Sequence, residues 1–140
     1  MPKSGEDRGT EARAGGPAVD RRERGSRGEG IAAAWLDRRG YRILARNVRC
    51  RLGEIDIVAA DGRSVVFVEV KGKGGGAHGR PEEMVTRAKR RRLTLLARWY
   101  LQQRGWLARP ARFDVVAIDW GPAGAAVRHI VDAFPAEGAW

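Results

Sequence analysis

Cysteine is nearly absent from this chain: Cys50 is the single one among 140 residues. An internal disulfide is therefore excluded, and a reducing cytoplasm is the expected compartment. Histidine is almost as scarce, and His78 and His129 stand too far apart in sequence to give the spacing of a zinc site. No apolar run approaches the roughly 20 residues of a membrane span. The N-terminus is polar, rich in Arg, Glu and Gly, and lacks an apolar signal core. Lysine is rare as well, with Lys3, Lys71, Lys73 and Lys89 set against 23 arginines. Each lysine is therefore worth locating.

What the chain has in excess is positive charge, a net +10 at neutral pH. From Lys71 to Arg112 there are twelve Lys and Arg against two acids, Glu82 and Glu83, while the remainder holds fifteen of each sign. The imbalance thus lies in one tract. Such a tract is the electrostatic footprint of polyanion binding, and its bland counterpart is a helix face kept basic for solubility.

Length suits one domain with a modest core. Residues 1–24 are polar, mixed in charge and glycine-bearing, and read as a disordered tail ahead of a single domain over residues 25–140. Ser26-Arg27-Gly28-Glu29 has the Ser-x-x-Glu form of a capping box and predicts a helix ending near Gly40. Strands are expected over Tyr41–Arg49, Glu54–Ala60 and Ser64–Lys71, then a glycine-bearing loop from Gly72 to Arg80. A helix should run from Pro81 to about Arg104, followed by strands Arg112–Asp119 and Ala126–Ala133. The order α-β-β-β-α-β-β implies an α/β fold, a mixed β-sheet flanked by helices.

Chemistry concentrates in Gly53-Glu54-Ile55-Asp56 and Val68-Glu69-Val70-Lys71, joined across an Asp61-Gly62 turn. If that dipeptide is a two-residue hairpin loop, Ala60 pairs with Arg63 and Asp56 lies opposite Phe67. Asp56 and Glu69 then become diagonal neighbours roughly 7–8 Å apart. Two carboxylates so placed can hold Mg²⁺ or Mn²⁺, which take one or two carboxylates and keep other positions for water and phosphate. Lys71 adds a compact cation fit to orient water or offset phosphate charge. A solvated surface hairpin is the plain alternative. The apolar run Ser64-Val65-Val66-Phe67-Val68 argues against it, because it predicts a strand buried on both faces, where unpaired charge is costly.

Glu29, the hairpin motifs and the later Arg112-Phe113-Asp114-Val115-Val116 together resemble the YraN family of small bacterial endonuclease-like proteins. That family is similar to archaeal Holliday-junction resolvases and to the restriction-endonuclease-like fold. The resemblance runs from about Gly25 to about Val131. It implies Asp56 and Glu69 as metal ligands, Lys71 as the catalytic lysine and Glu29 as an accessory acid. Read from residues alone, Glu29 could equally be a helix cap or lie on the core-facing stripe with Ala33 and Leu36. The resemblance favours the active site.

On the long helix, Arg87, Arg90, Arg91 and Arg98 occupy the polar half of the wheel, as phosphate contacts would. Lys89 and Arg92 fall in the apolar half. Arg92 is expected to snorkel, while Lys89 either does the same or reaches the site. With Lys73, the cations Arg87, Lys89, Arg90, Arg91 and Arg98 form the expected nucleic-acid surface. Gly72-Lys73-Gly74-Gly75-Gly76 lacks the form of a nucleotide-binding loop. The expected function is a Mg²⁺- or Mn²⁺-dependent endonuclease acting on duplex or branched DNA, with no membrane partner and with homodimerisation left open. The alternatives are a module that binds nucleic acid without cutting and a basic RNA-associated accessory protein.

Overall fold

A computed structural model describes residues 21–74 and 85–138, with side chains over residues 25–72 and 85–138. Seven elements follow in order: α1 (Arg21–Arg38), β1 (Arg42–Cys50), β2 (Gly53–Asp61), β3 (Ser64–Gly74), α2 (Arg87–Arg104), β4 (Ala111–Gly121) and β5 (Gly124–Phe134). The five strands lie in sequence order in one sheet. Only β3 and β4 are parallel, and α2 makes the crossover between them. The expected mixed α/β sheet flanked by helices is therefore the fold, an arrangement consistent with a restriction-endonuclease-like domain. Among the described residues, no helix is long and apolar enough to cross a membrane.

Strand alternation divides the core. Val66 and Val68 pack with Ala32, Trp35 and Leu36 of α1 on one face of the sheet. Their neighbours Val65 and Phe67 pack with Leu93, Leu96 and Tyr100 of α2 on the other. The β3 run is thus buried on both faces, as its unbroken hydrophobicity predicts. Both helices end in a glycine at positive φ, Gly40 at 89° and Gly105 at 71°. Tyr41 N–H bonds back to the Leu36 carbonyl and Trp106 N–H to that of Leu101, closing a Schellman turn in each case.

Three differences from the sequence reading matter most. Helix α1 begins at Arg21, so the end of the presumed tail is helical and Ser26 is interior; residues 1–20 lie outside the described residues. Helix α2 starts after Thr86, whose side chain accepts from Lys89 N–H at 3.2 Å, so Pro81 does not open it. Pro81, His78 and the expected loop beyond Gly74 lie outside the described residues, while Gly72-Lys73-Gly74 extends β3 against β4.

The third difference shapes the site. The hairpin loop is Gly62-Arg63, because Asp61 pairs with Ser64. Gly62, at φ 61°, supplies the positive φ that a two-residue loop needs at its first position. Every β2–β3 pair consequently shifts by two, and the last Cα pair of the ladder is Ile57 with Val68. Asp56 reaches the level of Glu69 rather than Phe67.

Candidate functional site

Beyond the Ile57–Val68 pair the two strands stop pairing, and a side chain takes over a backbone role. Asp56 Oδ2 accepts the N–H of Val70 at 2.8 Å, supplying the partner that an unpaired strand residue would otherwise lack. The carboxylate is thereby held at the point where β2 and β3 part. Glu69 lies on the α2 side of the sheet with Val65 and Phe67, and Lys71 follows it by one alternation.

Glu69 is 5% exposed and carries two ammonium partners on one oxygen. Lys89 Nζ stands 3.0 Å from its Oε2 and Lys71 Nζ 3.4 Å from the same atom. Lys89 therefore points into the site from the first turn of α2, which resolves the choice its helical position left open. Snorkelling holds for Arg92, whose Cδ would stand 3.2 Å from a Cβ at Gly53. Gly53 has φ 134°, a backbone conformation that favours glycine, and a Cβ there would press on the arginine stem.

Glu29 sits well inside α1 and cannot cap it. With the Asn47 amide turned so that its nitrogen faces the carboxylates, the orientation that satisfies both of its ends, that nitrogen donates to Glu29 Oε1 at 2.8 Å and lies 3.3 Å from Glu54 Oε2. Asn47 escaped the sequence reading. The signal was slight: an asparagine in an apolar-basic strand, here at φ 53°, a left-handed conformation that asparagine tolerates better than most residues. Arg49 was also overlooked; its Nε lies 2.7 Å from Glu54 Oε2.

The electrostatics of this cluster are unfavourable to its own charges. Burial, with Glu69 close by, pushes Asp56 up to about 7, while the Val70 N–H pulls the other way. Burial and Glu54 also raise Glu29, with Asn47, Arg46 and Arg49 opposing. Crowded carboxylates that resist ionisation are what a divalent cation would relieve. Among the described residues no three His, Cys, Asp or Glu side chains converge as a ready-made chelate. Asp56 and Glu69 nevertheless offer hard oxygen donors in the number Mg²⁺ takes from protein, so the donor set fits that ion.

The remaining cations divide. Arg91 and Arg98 are exposed on the outer side of α2. Arg87 is exposed too, with Nε 3.7 Å from Glu137. Arg90 turns inward, donating to the Val85 carbonyl at 2.9 Å and lying 5.2 Å over the Phe134 ring. The Lys73 side chain is outside the described residues.

The Arg112–Val116 segment forms a separate cluster. Asp114, wholly buried, accepts from Arg112 Nε at 3.0 Å and from Asp132 N–H at 2.9 Å, with His129 Nε2 at 2.8 Å. Arg112 also donates to the Tyr41 hydroxyl at 2.8 Å and pairs with Asp61 at 3.4 Å. Asp114 pairs with Val68, next to Glu69, so the sheet itself separates this network from Glu69: Asp114 alternates with Val116 on the α1 side, and Glu69 with Phe67 on the α2 side.

Comparison with known proteins gives one family. Residues 28–118 match the model of a family described as Uncharacterised protein family UPF0102. A UPF0102 protein of Anaeromyxobacter dehalogenans is 46% identical over 125 residues, covering 89% of this chain and 93% of its own. One from Moorella thermoacetica is 55% identical over 100 residues, 71% of this chain and 83% of its own. Among solved structures, Pyrococcus furiosus SfsA in complex with Ca²⁺ is 15% identical, with a TM-score of 0.38 over 87% of this chain and 75% of that one.

Proposed function

The chain belongs to the uncharacterised protein family UPF0102, and from its site we propose a metal-dependent DNA endonuclease that hydrolyses phosphodiester bonds, with branched DNA among its substrates. The observation that carries this reading is the convergence of Asp56, Glu69, Lys71 and Lys89 where β2 and β3 part. The resemblance to restriction-endonuclease-like and resolvase proteins points the same way.

Asp56 and Glu69 would hold Mg²⁺ or Mn²⁺, which when bound supplies a more acidic water and offsets charge building on the phosphorus. Lys71 orients the attacking water or donates to a phosphate oxygen. Lys89, from α2, clamps Glu69 and offers a second donor to the phosphate. Asn47 steadies Glu29 and Glu54 beside the ligands. Exposed Arg91, Arg98 and Arg87 on α2, with Lys73, track the phosphate backbone.

One observation favours a second reading, a module that binds nucleic acid without cutting it. Both ammonium groups already rest on Glu69 Oε2, where they offset carboxylate charge without a metal. Calorimetry with Mn²⁺ and nicking of closed circular and branched DNA separate the two. Asp56→Ala and Glu69→Ala should each lose Mn²⁺ binding, and unchanged binding in both would sink the site. Lys71→Ala should keep Mn²⁺ affinity and lose about 100-fold or more in nicking rate, as expected when a transition-state donor is removed. Wild-type protein that binds DNA but never nicks it would favour the module.

A further inference from the structure

Positive charge by segment hides a second basic region. Residues 41–52 contain Arg42, Arg46, Arg49 and Arg51 and no acid, an excess cancelled in the whole-chain count by acids elsewhere. All four arginines are exposed. The segment forms β1, an outer strand of the sheet, and the turn into β2. Register sets Arg46 against Ile57, Arg49 against Glu54 and Cys50 against Gly53, so the basic stretch borders the part of β2 that carries Glu54 and Asp56.

Exposed edges are often guarded by charge, which is the plain explanation for arginines here. The opposite edge shows how little guarding requires: β5, from Gly124 to Phe134, has one arginine and one aspartate. Position adds to number. Arg46 and Arg49 are near enough to act electrostatically on Glu29, and Arg49 holds Glu54 at 2.7 Å. Arg92 of α2 packs its stem on Gly53, so it joins the β1–β2 turn to the helix.

We propose that Arg46 and Arg51, with Arg49 between them, form a second phosphate-contacting limb. In sheet order the β2 carboxylates have this limb on one flank and Glu69 with Lys71 and Lys89 on the other. A terminal phosphate needs cations on one flank only. Cations on both suit a nucleic-acid strand that continues past the site in each direction, so the substrate class is an internal phosphodiester. This inference rests on the nuclease reading for the identity of the site, and on arginine's forked geometry for its preference for phosphate.

Fluorescence anisotropy of a labelled DNA duplex with EDTA present tests it, across a range of salt. Arg46→Gln with Arg51→Gln should weaken binding about tenfold and flatten the log–log salt slope by about 1–2, at roughly 0.9 for each phosphate no longer neutralised. Arg46→Lys with Arg51→Lys should keep most of the slope. Arg51→Gln alone, in the turn, should show about half the effect and covers the case in which the double variant fails to fold. Arg91→Gln with Arg98→Gln provides the helix comparison. If the β1 variants bind as wild type while the helix variant weakens, the second limb is overturned and the nuclease reading stands. If wild-type protein has no affinity for DNA, the nuclease reading falls and this inference with it. Loss of binding to phosphatidylserine vesicles but not to DNA in the β1 variants would also overturn it.

Discussion

Asp114 is wholly buried and Asp56 half-buried in the same sheet, and their surroundings drive them in opposite directions. Asp114 receives donors from Arg112, His129 and the Asp132 backbone, which together hold its carboxyl below the usual range despite burial. Asp56 receives one backbone N–H and faces Glu69, Glu29 and Glu54, and it is pushed up to about 7. One buried charge is satisfied by the fold; the other is left in need of a counter-charge the protein does not fully supply. Perturbation of the second kind marks functional sites, whereas a paired buried charge more often serves structure. The Arg112-Phe113-Asp114 segment belongs to the motif set that pointed to nuclease-like proteins, but its side chains build a structural anchor.

Removing Asp114 should show the larger effect. Asp114→Ala removes the buried carboxylate that Arg112 shares with Asp61, strands His129 and the Asp132 N–H, and should cost about 3–5 kcal/mol in urea denaturation. A loss under 1 kcal/mol would break the contrast. In wild type, the lowered pKa means this contribution is present above the ordinary aspartate range and disappears as pH falls through the folded-state value.

Asp56 should behave in the reverse sense and more weakly. Its folded-state pKa lies above its unfolded one, so the native state binds more protons between about pH 4 and 7 and stability falls as pH rises through that window. Asp56→Asn should therefore gain about 1–3 kcal/mol at pH 8 and nothing near pH 4, since a rise to about 7 sets an upper bound of about 4 kcal/mol before the proximity of Glu69 is allowed for. Thermal denaturation at the two pH values measures it, and a variant less stable at pH 8 would show that Asp56 is a structural aspartate after all.

The smallest effect concerns charge that neither network buries. Reversing Arg87 and Arg91 to Glu should weaken DNA binding by about tenfold across all sequences, because phosphate contacts position without reading bases. Mn²⁺ affinity should be unchanged. Coincident salt titrations for variant and wild type would move the DNA path off this helix face.

Local sequence patterns made much of this visible. The unbroken Val-rich run of β3 fixed a strand buried on both faces, and Asp56, Glu69 and Lys71 were legible because strand alternation assigns side chains to faces without knowledge of distant contacts. The hairpin register was misjudged by two because either Asp61-Gly62 or Gly62-Arg63 can close the loop. The choice depends on which pairing packs the core, an energy absent from any four-residue window. The start of α1 was missed as well: Ser26 has a capping-box pattern, but the helix continues on its N-terminal side to Arg21.

Composition, alternation and the Asp…Glu-x-Lys spacing thus determined the fold class, the candidate ligands and the basic character of the chain. Tertiary structure alone decided that Lys89 meets Glu69, that Asn47 joins Glu29 to Glu54, and that the β1 arginines border the site. It also separated the two aspartates. Several of these contacts join residues far apart in the chain: 18 positions for Glu29 and Asn47, 20 for Lys89 and Glu69, and 71 for Tyr41 and Arg112. Local propensity acts over a few residues, whereas the field at a carboxylate is set by whatever the folded chain brings within several ångströms of it.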